Sequence, residues 1–183
     1  MKKIFLVAAS IVVANITQAQ IYMGKTCVTH FFSKTSMKDI EASSNTAKPV
    51  LDAASGSFQM RIQNSSFKFE SSFMQEHFNE NYMESEKYPK STFKGKITNL
   101  PAIKFDVNGV YNATVTGDIT IHNVTKTITV SGTIEVKDGK IFAKAKFPVK
   151  TADYNIQIPK LVFKNIAETI DVTVDMAYTP YTK

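Results

Sequence analysis

The sequence predicts an all-β fold, in which about eight antiparallel strands close into a barrel with one short helical insertion. Apolar and polar residues alternate with a period of two through much of the chain, which is typical of strands buried on one face. Tight-turn signals separate the longest of these runs, and one stretch, residues 71–96, has helical character. A two-layer sandwich built from the same strands is the competing architecture.

The N-terminus has the features of a secretory signal peptide. Two lysines begin it, the apolar stretch that follows is too short to span a bilayer, and a small-residue cleavage pattern ends at Ala19. The residue after Ala19 is not cysteine, so lipid attachment is not expected. We therefore expect a signal peptide at residues 1–19 and one domain at residues 20–183, exported to the periplasm or secreted, without stable membrane insertion.

Charge and cysteine content exclude several classes of protein. Removal of residues 1–19 leaves 20 basic and 16 acidic residues, a net charge of +4 compared with +6 for the whole chain. The lysines are dispersed and Arg61 is the sole arginine, so the clustered basic surface of a nucleic-acid-binding protein is absent. Cys27 is the single cysteine; it cannot form an intramolecular disulfide and is expected to be a small buried apolar residue.

The first half of the chain contains the less regular strands. Residues 22–33 form an extended run with apolar groups on both faces, so their register stays open, and residues 36–45 continue with weak strand character. In residues 50–69 an alternating pattern predicts a half-buried strand. Its inward residues would be Phe58, Met60 and Ile62.

The helical stretch lies between these strands and the next ones. Ser72 and Gln75 have the spacing of a capping box, which predicts that a short helix begins there. Phe73 and Phe78 share one side of this helix, so we expect them to close or line one end of the β structure. Pro89 ends the helical region, and residues 92–100 alternate again.

The second half gives the strongest strand signals. Two hairpin turns are predicted at His122-Asn123 and Asp138-Gly139. Residues 124–136 and 169–178 alternate regularly, whereas residues 151–167 form an irregular connection. The strand before the first turn places six residues on one face: Tyr111, Ala113, Val115, Gly117, Ile119 and Ile121. The strand after the second turn buries Ile141, Ala143, Ala145 and Phe147.

The sequence contains no pattern of catalytic or metal-binding residues. His30, His77 and His122 lack the paired spacing of metal ligands, and each is expected to be a surface or partly buried polar group. No nucleophile elbow or phosphate-binding glycine loop is present. The glutamates of the helical stretch, including Glu84, have the spacing of a solvated face. We expect no enzymatic activity, no metal and no cofactor.

The chain has 13 phenylalanines and no tryptophan, and many of the phenylalanines are predicted to point inward. They could simply fill a core, or they could line an apolar tunnel. Small residues at inward positions favour the tunnel, because they leave volume that an apolar ligand can occupy. These positions are Gly95, Ala113, Gly117, Gly132, Ala143 and Ala145.

Two stretches resemble a known family. Phe73, the QEHF of residues 75–78, Tyr88-Pro89 and an F-x-G strand start form the first. The second, GDITIHNVTK at residues 117–126, is similar to the G-x-L-T-x-x-G-V-T-K segment of the YceI-like family, exported lipocalin-like barrels that bind polyisoprenoids. The chain departs from that segment at Asp118 and Ile119, near which the family commonly has leucine, and at Asn123, where it commonly has glycine.

The resemblance covers residues 22–178 and implies an eight-stranded lipocalin-like barrel. Such a barrel would hold a long isoprenoid or fatty lipid in its interior, with the head group near the open end and no catalytic residues. We expect an exported, non-catalytic lipid-binding protein for carriage, storage or scavenging; the alternative is a β-sandwich interaction module with a filled core and a protein partner. The predicted ligand-binding residues are Phe31, Phe58, Phe73, Phe78, Phe93, Tyr111, Ala113, Val115, Ile119 and Phe147.

Overall fold

A computed structural model describes residues 20–35, 39–158 and 166–181 of the chain. The predicted signal peptide lies outside the described residues, as does part of the irregular connection. The strands are β1 (Ile21–Ser33), β2 (Ile40–Ser44), β3 (Val50–Asp52), β4 (Ser57–Gln63), β5 (Lys68–Phe69), β6 (Lys90–Ile97), β7 (Gly109–Ile121), β8 (Val124–Lys137), β9 (Lys140–Lys150) and β10 (Thr169–Pro180). One α-helix, α1 (Ser72–His77), lies between β5 and β6.

Eight of these strands close into an antiparallel barrel. Neighbours in the ring follow the order β10, β9, β8, β7, β6, β4, β3 and β1, and β1 pairs with β10 to complete it. The closing pair is long, running from Tyr22 opposite Pro180 to Phe32 opposite Asp171. The predicted closed barrel with one short helix is therefore confirmed, and the sandwich is excluded because a sandwich would leave this seam open.

The two remaining strands extend the wall at one end of the barrel. One edge of β1 pairs with β3 near Tyr22 and with β2 from Thr29 to Ser33. The two-residue strand β5 then pairs with β2. A register shift in β1 between Gly24 and Thr26 changes the alternation, so that different positions of β1 point into the barrel before and after the shift.

The hairpin turns are confirmed at both predicted positions. His122 and Asn123 have φ values of 49° and 61°, and Asp138 and Gly139 have 50° and 71°. Two consecutive left-handed residues connect antiparallel strands with the twist that a barrel requires. The first turn lies at the end of the barrel near α1, and the second lies at the opposite end.

The end of the barrel away from α1 is filled by large side chains. Tyr22, Ile141 and Tyr178 are each no more than 2% exposed, and they pack with Leu51, Ile103 and other residues in one cluster. Burial raises the pKa of the Tyr178 phenol well above its ordinary value, and this phenol donates a hydrogen bond to the Met176 sulfur at 3.2 Å. This cluster closes the barrel at that end.

Close approach of β6 and β7 depends on two glycines. Gly95 and Gly117 are direct partners in the two strands. A Cβ atom at Gly117 would lie 2.4 Å from the Gly95 Cα and 2.4 Å from the Lys94 carbonyl oxygen. A side chain at either position would therefore force the two backbones apart.

Helix α1 begins one residue earlier than the sequence predicted. The cap is Ser71, whose hydroxyl accepts a hydrogen bond from the Met74 amide at 3.5 Å. Ser72 is itself helical, so Gln75 lies one position too late and the predicted capping box is wrong. A wider π-type turn, Phe78–Tyr82, continues α1. The helical region therefore ends before Pro89 is reached, and β6 begins at Lys90, two residues before the predicted start at residue 92. No helix in the described ranges is long and apolar enough to cross a membrane.

Candidate functional site

A cavity of about 520 Å³ occupies the end of the barrel beside α1; we call it the outer cavity. Inward-facing residues of β1, β4, β6, β7, β9 and β10 form its wall, and α1 and the π-type turn border it. Most of the lining side chains are aliphatic or aromatic, among them Ile62, Phe67, Phe69, Ile121, Val149 and Val172. The interior at this end of the barrel is therefore an unfilled space lined mainly by apolar side chains.

Four phenylalanine rings form one side of the outer cavity. The Phe31 ring centroid lies 5.4 Å from those of Phe67 and Phe78 and 5.5 Å from that of Phe69. Phe78 in turn lies 5.7 Å from Phe67 and 5.0 Å from Phe69. These distances are within the range in which aromatic pairs attract each other. The cluster holds the start of the π-type turn against β1 and β5.

Several polar groups of the outer wall are already bonded within the protein. The Asn64 side chain donates to the Tyr88 carbonyl at 2.6 Å and accepts from the Ser91 hydroxyl at 2.8 Å. The Ser33 hydroxyl accepts from the Ala167 amide at 2.9 Å, and the Thr151 hydroxyl donates to the Glu168 carbonyl at 3.2 Å. These groups fix neighbouring segments to one another.

A second, smaller cavity of about 100 Å³ lies deeper in the barrel; we call it the inner cavity. Its wall includes the predicted small residues Ala113, Gly132, Ala143 and Ala145. Ala145 is opposite Gly132, and Gly132 is opposite Ala113, so these three form a continuous row across β9, β8 and β7. The sequence-based expectation that small inward residues leave volume agrees with the geometry at these four positions, whereas Gly95 and Gly117 line neither cavity.

Five residues line both cavities and mark the boundary between them: Met60, Phe93, Ile119, Phe147 and Val174. We call this group of residues the waist. On β10 the two linings together extend from Ile170 to Tyr178. That span corresponds to about 20 Å along the barrel axis, for a rise of about 3.3 Å per residue and a tilt of about 40°.

Nine of the ten predicted ligand-binding residues line one cavity or both. Phe31, Phe73 and Phe78 line the outer cavity; Phe58, Ala113 and Val115 line the inner one; and Phe93, Ile119 and Phe147 line both. Of the two helical-stretch phenylalanines, Phe78 is half-buried, but Phe73 is 66% exposed and sits at the mouth. Phe73 therefore borders the opening and does not close it.

Tyr111 lines neither cavity. It lies two residues from the start of β7, at the filled end of the barrel, where its hydroxyl donates to the Val107 carbonyl at 2.9 Å. Strand alternation alone assigns a residue to a face and not to a depth, which is why Tyr111 was grouped with the lining. The same alternation could have added Met60, Ile62, Val172 and Val174, all of which line a cavity.

A histidine at the barrel rim connects three segments. His122 Nε2 lies 2.8 Å from a Glu84 carboxylate oxygen, and Nδ1 lies 3.1 Å from the Tyr154 carbonyl oxygen. Both oxygens are acceptors, so each ring nitrogen donates when it carries a proton. The side chain is 10% exposed, and its ring packs edge-on against Tyr88, with centroids 4.5 Å apart. The loop after the π-type turn, the β7–β8 turn and residues 151–154 are thereby joined; we call this group the rim cluster. The sequence indicated that His122 was a surface or partly buried polar group and did not reveal this role.

Two kinds of reactive site are absent from the described residues: a metal-binding cluster and an ionised cysteine. Among them, no group of three or more histidine, cysteine, aspartate or glutamate side chains could hold a metal ion. Burial raises the pKa of the Cys27 thiol to about 11, so the thiol is protonated at neutral pH and is a poor nucleophile. The thiol lies 3.8 Å from the Met60 sulfur. It is buried, as the sequence predicted.

Several solved structures are similar to this one. A polyisoprenoid-binding domain from Saccharophagus degradans, described as implicated in plant cell wall breakdown, matches with a TM-score of 0.76 and 14% identity, over 87% of this chain and 98% of that one. Burkholderia cenocepacia BcnA matches with a TM-score of 0.67 and 21% identity, over 82% and 95%. Campylobacter jejuni YceI protein matches with a TM-score of 0.56 and 19% identity, over the full length of both.

At these levels of identity the structural matches establish the fold alone. No curated protein sequence matches the chain. The model of one protein family, the YceI-like domain, matches residues 12–178, which is most of the sequence. The chain therefore belongs to the YceI-like family.

Proposed function

We propose that this is an exported, non-catalytic protein that binds one long-chain amphiphilic lipid, a polyisoprenoid or fatty-acid-like molecule, inside its barrel. Carriage, storage or scavenging of that lipid would be its role. The outer cavity is the observation on which the proposal depends. Its volume of about 520 Å³ is within the range of small-molecule sites, about 300–1,000 Å³.

The chemistry of the wall favours a hydrocarbon chain over a polar ligand. The phenylalanine cluster and the aliphatic residues of β4, β9 and β10 present carbon atoms, while Asn64, Ser33 and Thr151 are bonded within the protein. Burial of a chain contributes about 0.8 kcal/mol per methylene group before association costs are subtracted. A long chain could therefore bind tightly without specific polar contacts.

The mouth of the outer cavity suits the polar end of such a lipid. Tyr82, His77 and Thr92 line the cavity near α1, and Phe73 beside them is largely exposed, so the cavity reaches solvent there. A tyrosine phenol is protonated at neutral pH and can donate a hydrogen bond, and burial raises the pKa of Tyr82 further. We place the head group at this mouth.

Two further observations support the proposal by analogy. The S. degradans domain that shares the fold is described as polyisoprenoid-binding. Residues 1–19 have the pattern of a signal peptide, which supports export to the periplasm or beyond. The alternative of an interaction module with a filled core is not favoured, because the barrel interior contains two cavities.

Organic extraction of the purified protein followed by mass spectrometry tests the proposal. A matched pair of substitutions on β10 sharpens it. Val172 lines the outer cavity, whereas Thr173 is the next residue and faces outward. Val172→Phe should reduce the amount of extracted lipid strongly, and Thr173→Phe should leave it as in the unmodified protein.

A protein that yields no lipid and takes up no added polyprenol or fatty acid after extraction would refute the proposal. Equal lipid content in Val172→Phe and the unmodified protein would show that lipid binds elsewhere.

A further inference from the structure

The barrel interior is divided into two cavities of unequal size, about 520 Å³ and about 100 Å³. The larger one borders the mouth, and the smaller one lies between the waist and the filled end. Tyr178 and Leu51, which belong to the cluster at that end, form part of the inner wall. A chain that enters at the mouth therefore meets the waist before it meets the inner cavity.

The waist is formed from both sides of the barrel. Met60, Phe93 and Ile119 are successive cross-strand partners on β4, β6 and β7, so they form one continuous row. Phe147 and Val174, on the neighbouring strands β9 and β10, complete it. Phe93 is additionally packed against Phe58, with ring centroids 5.7 Å apart.

Met60 is the most adaptable member of the waist. It is only half-buried, and its unbranched side chain has three rotatable bonds, so it can change conformation at small cost. Its sulfur has one weak contact, with the Cys27 thiol at 3.8 Å. Ile119 and Val174, in contrast, are buried and branched, which restricts them to few rotamers.

Small residues on β7, β8 and β9 border the inner cavity, and the central one, Gly132, has no room for a side chain. A Cβ atom at Gly132 would lie 2.3 Å from the Lys144 carbonyl oxygen. The space above Gly132 is bordered by Ala113 and Ala145, whose side chains are single methyl groups. The volume is apolar and about 100 Å³ in size, which allows several carbon atoms of a chain to enter.

From these observations we propose that the waist and the inner cavity determine the length of the chain that the barrel selects. Shorter chains fill the outer cavity and end at the waist. Longer chains displace the Met60 side chain and place their terminal carbons beside Ala113. This inference depends on the proposed lipid-binding function and specifies the chain length that the same site prefers.

A homologous series of unbranched fatty acids, from octanoate to docosanoate, tests the proposal. Their affinities can be measured on extracted protein by displacement of the fluorescent probe anilinonaphthalene sulfonate. Each methylene that enters an apolar cavity should strengthen binding about fourfold, from about 0.8 kcal/mol per methylene group. We expect the affinity to stop increasing at the chain length that reaches the waist, and to increase again for longer chains that enter the inner cavity.

Substitution Ala113→Leu fills the inner cavity and should abolish the increase in affinity for chains that pass the waist. The longest acids should then bind at least about tenfold more weakly than to the unmodified protein. The affinities of the shortest acids should be unchanged. Met60→Ala widens the waist, so the affinity should increase with chain length without interruption. Ala177→Leu, the same exchange on the outward face of β10, is the matched control and should change neither. Ala145→Val is a smaller filling change to use if Ala113→Leu unfolds, which its circular dichroism would reveal.

Two results would overturn the inference while leaving lipid binding intact. One is an Ala113→Leu protein that binds every chain length as the unmodified protein does. The other is a loss of affinity that is equal for the short and the long acids. If the unmodified protein binds none of the acids and none of a parallel series from farnesol to solanesol, the proposed function fails and this inference fails with it.

Discussion

Replacing His122 by asparagine should loosen the attachment of the α1 segment to the barrel. The rim cluster joins three segments through one side chain, with its two ring nitrogens on the Glu84 carboxylate at 2.8 Å and the Tyr154 carbonyl at 3.1 Å. Asparagine tolerates the left-handed backbone at this position, where φ is 49°. The substitution therefore removes the contacts without adding backbone strain.

The expected loss follows from the two hydrogen bonds. A bond to an ionised carboxylate contributes about 1.5–3 kcal/mol and one to a neutral carbonyl about 0.5–1.5 kcal/mol. The Glu84 side chain is 42% exposed and regains water when its partner is removed, so the first contribution is at the low end. A ring with one N–H forms one of the two bonds and a ring with two N–H groups forms both, so we expect His122→Asn to lower the free energy of unfolding by about 1–3 kcal/mol.

The same exchange at His30 provides a matched control. His30 also pairs with a glutamate, Glu41, at 3.1 Å, but the two side chains are 33% and 67% exposed. An exposed pair of this kind contributes about 0–1 kcal/mol. Because the chain lacks tryptophan, urea unfolding is best followed by circular dichroism and tyrosine fluorescence. If His122→Asn were no more destabilising than His30→Asn, the rim cluster would not be holding the segment in place.

Three further predictions concern the fold. Gly117→Ala should lower the free energy of unfolding by about 2–3 kcal/mol, since the new Cβ would overlap the β6 backbone. The control Gly139→Ala, in an open turn at φ 71°, should lower it by only about 1 kcal/mol. Equal losses would contradict the close approach of β6 and β7. Phe78→Ala should lower the free energy of unfolding by about 2–4 kcal/mol because three ring contacts are lost. The exposed Phe73 is the control, and Phe73→Ala should change thermal unfolding little. A larger effect of Phe73→Ala than of Phe78→Ala would show that the phenylalanine cluster does not hold the turn in place. The pKa of the Cys27 thiol is about 11 in the folded protein and near 9.0 in the unfolded chain, so its contribution to stability is complete below pH 9 and is lost as the pH rises towards about 11. Cys27→Ala should therefore make the urea midpoint less dependent on pH between 9 and 11. An unchanged dependence would contradict the burial of the thiol.

The second half of the fold could be predicted from sequence because its signals are local. Strands β7 to β9 are joined by two-residue turns whose residues, such as Asn123 and Gly139, tolerate positive φ. Once a hairpin turn is placed, the register of both strands follows, and with it the inward face. The inward positions of Ala113, Val115 and Ile119 were predicted in this way.

The first half was less predictable because its pairing depends on distant residues. No local pattern indicates that β1 divides its edge between β2 and β3, or that a shift at Gly24 changes its inward face. Glu84 and His122 lie 38 positions apart in the sequence, so spacing alone indicates a solvated face for Glu84 and a surface or partly buried polar group for His122, and does not reveal their contact. Cavity depth is also a tertiary property, which explains why Tyr111 was placed with the lining.

A crystal structure of extracted protein reloaded with a bromine-labelled long-chain fatty acid would locate the bound lipid. We expect an anomalous bromine signal inside the barrel, at the waist or in the inner cavity when the label is at the tail, with the carboxylate at the mouth beside Tyr82. A signal confined to the outer surface, or an interior filled by the protein's own side chains, would contradict it.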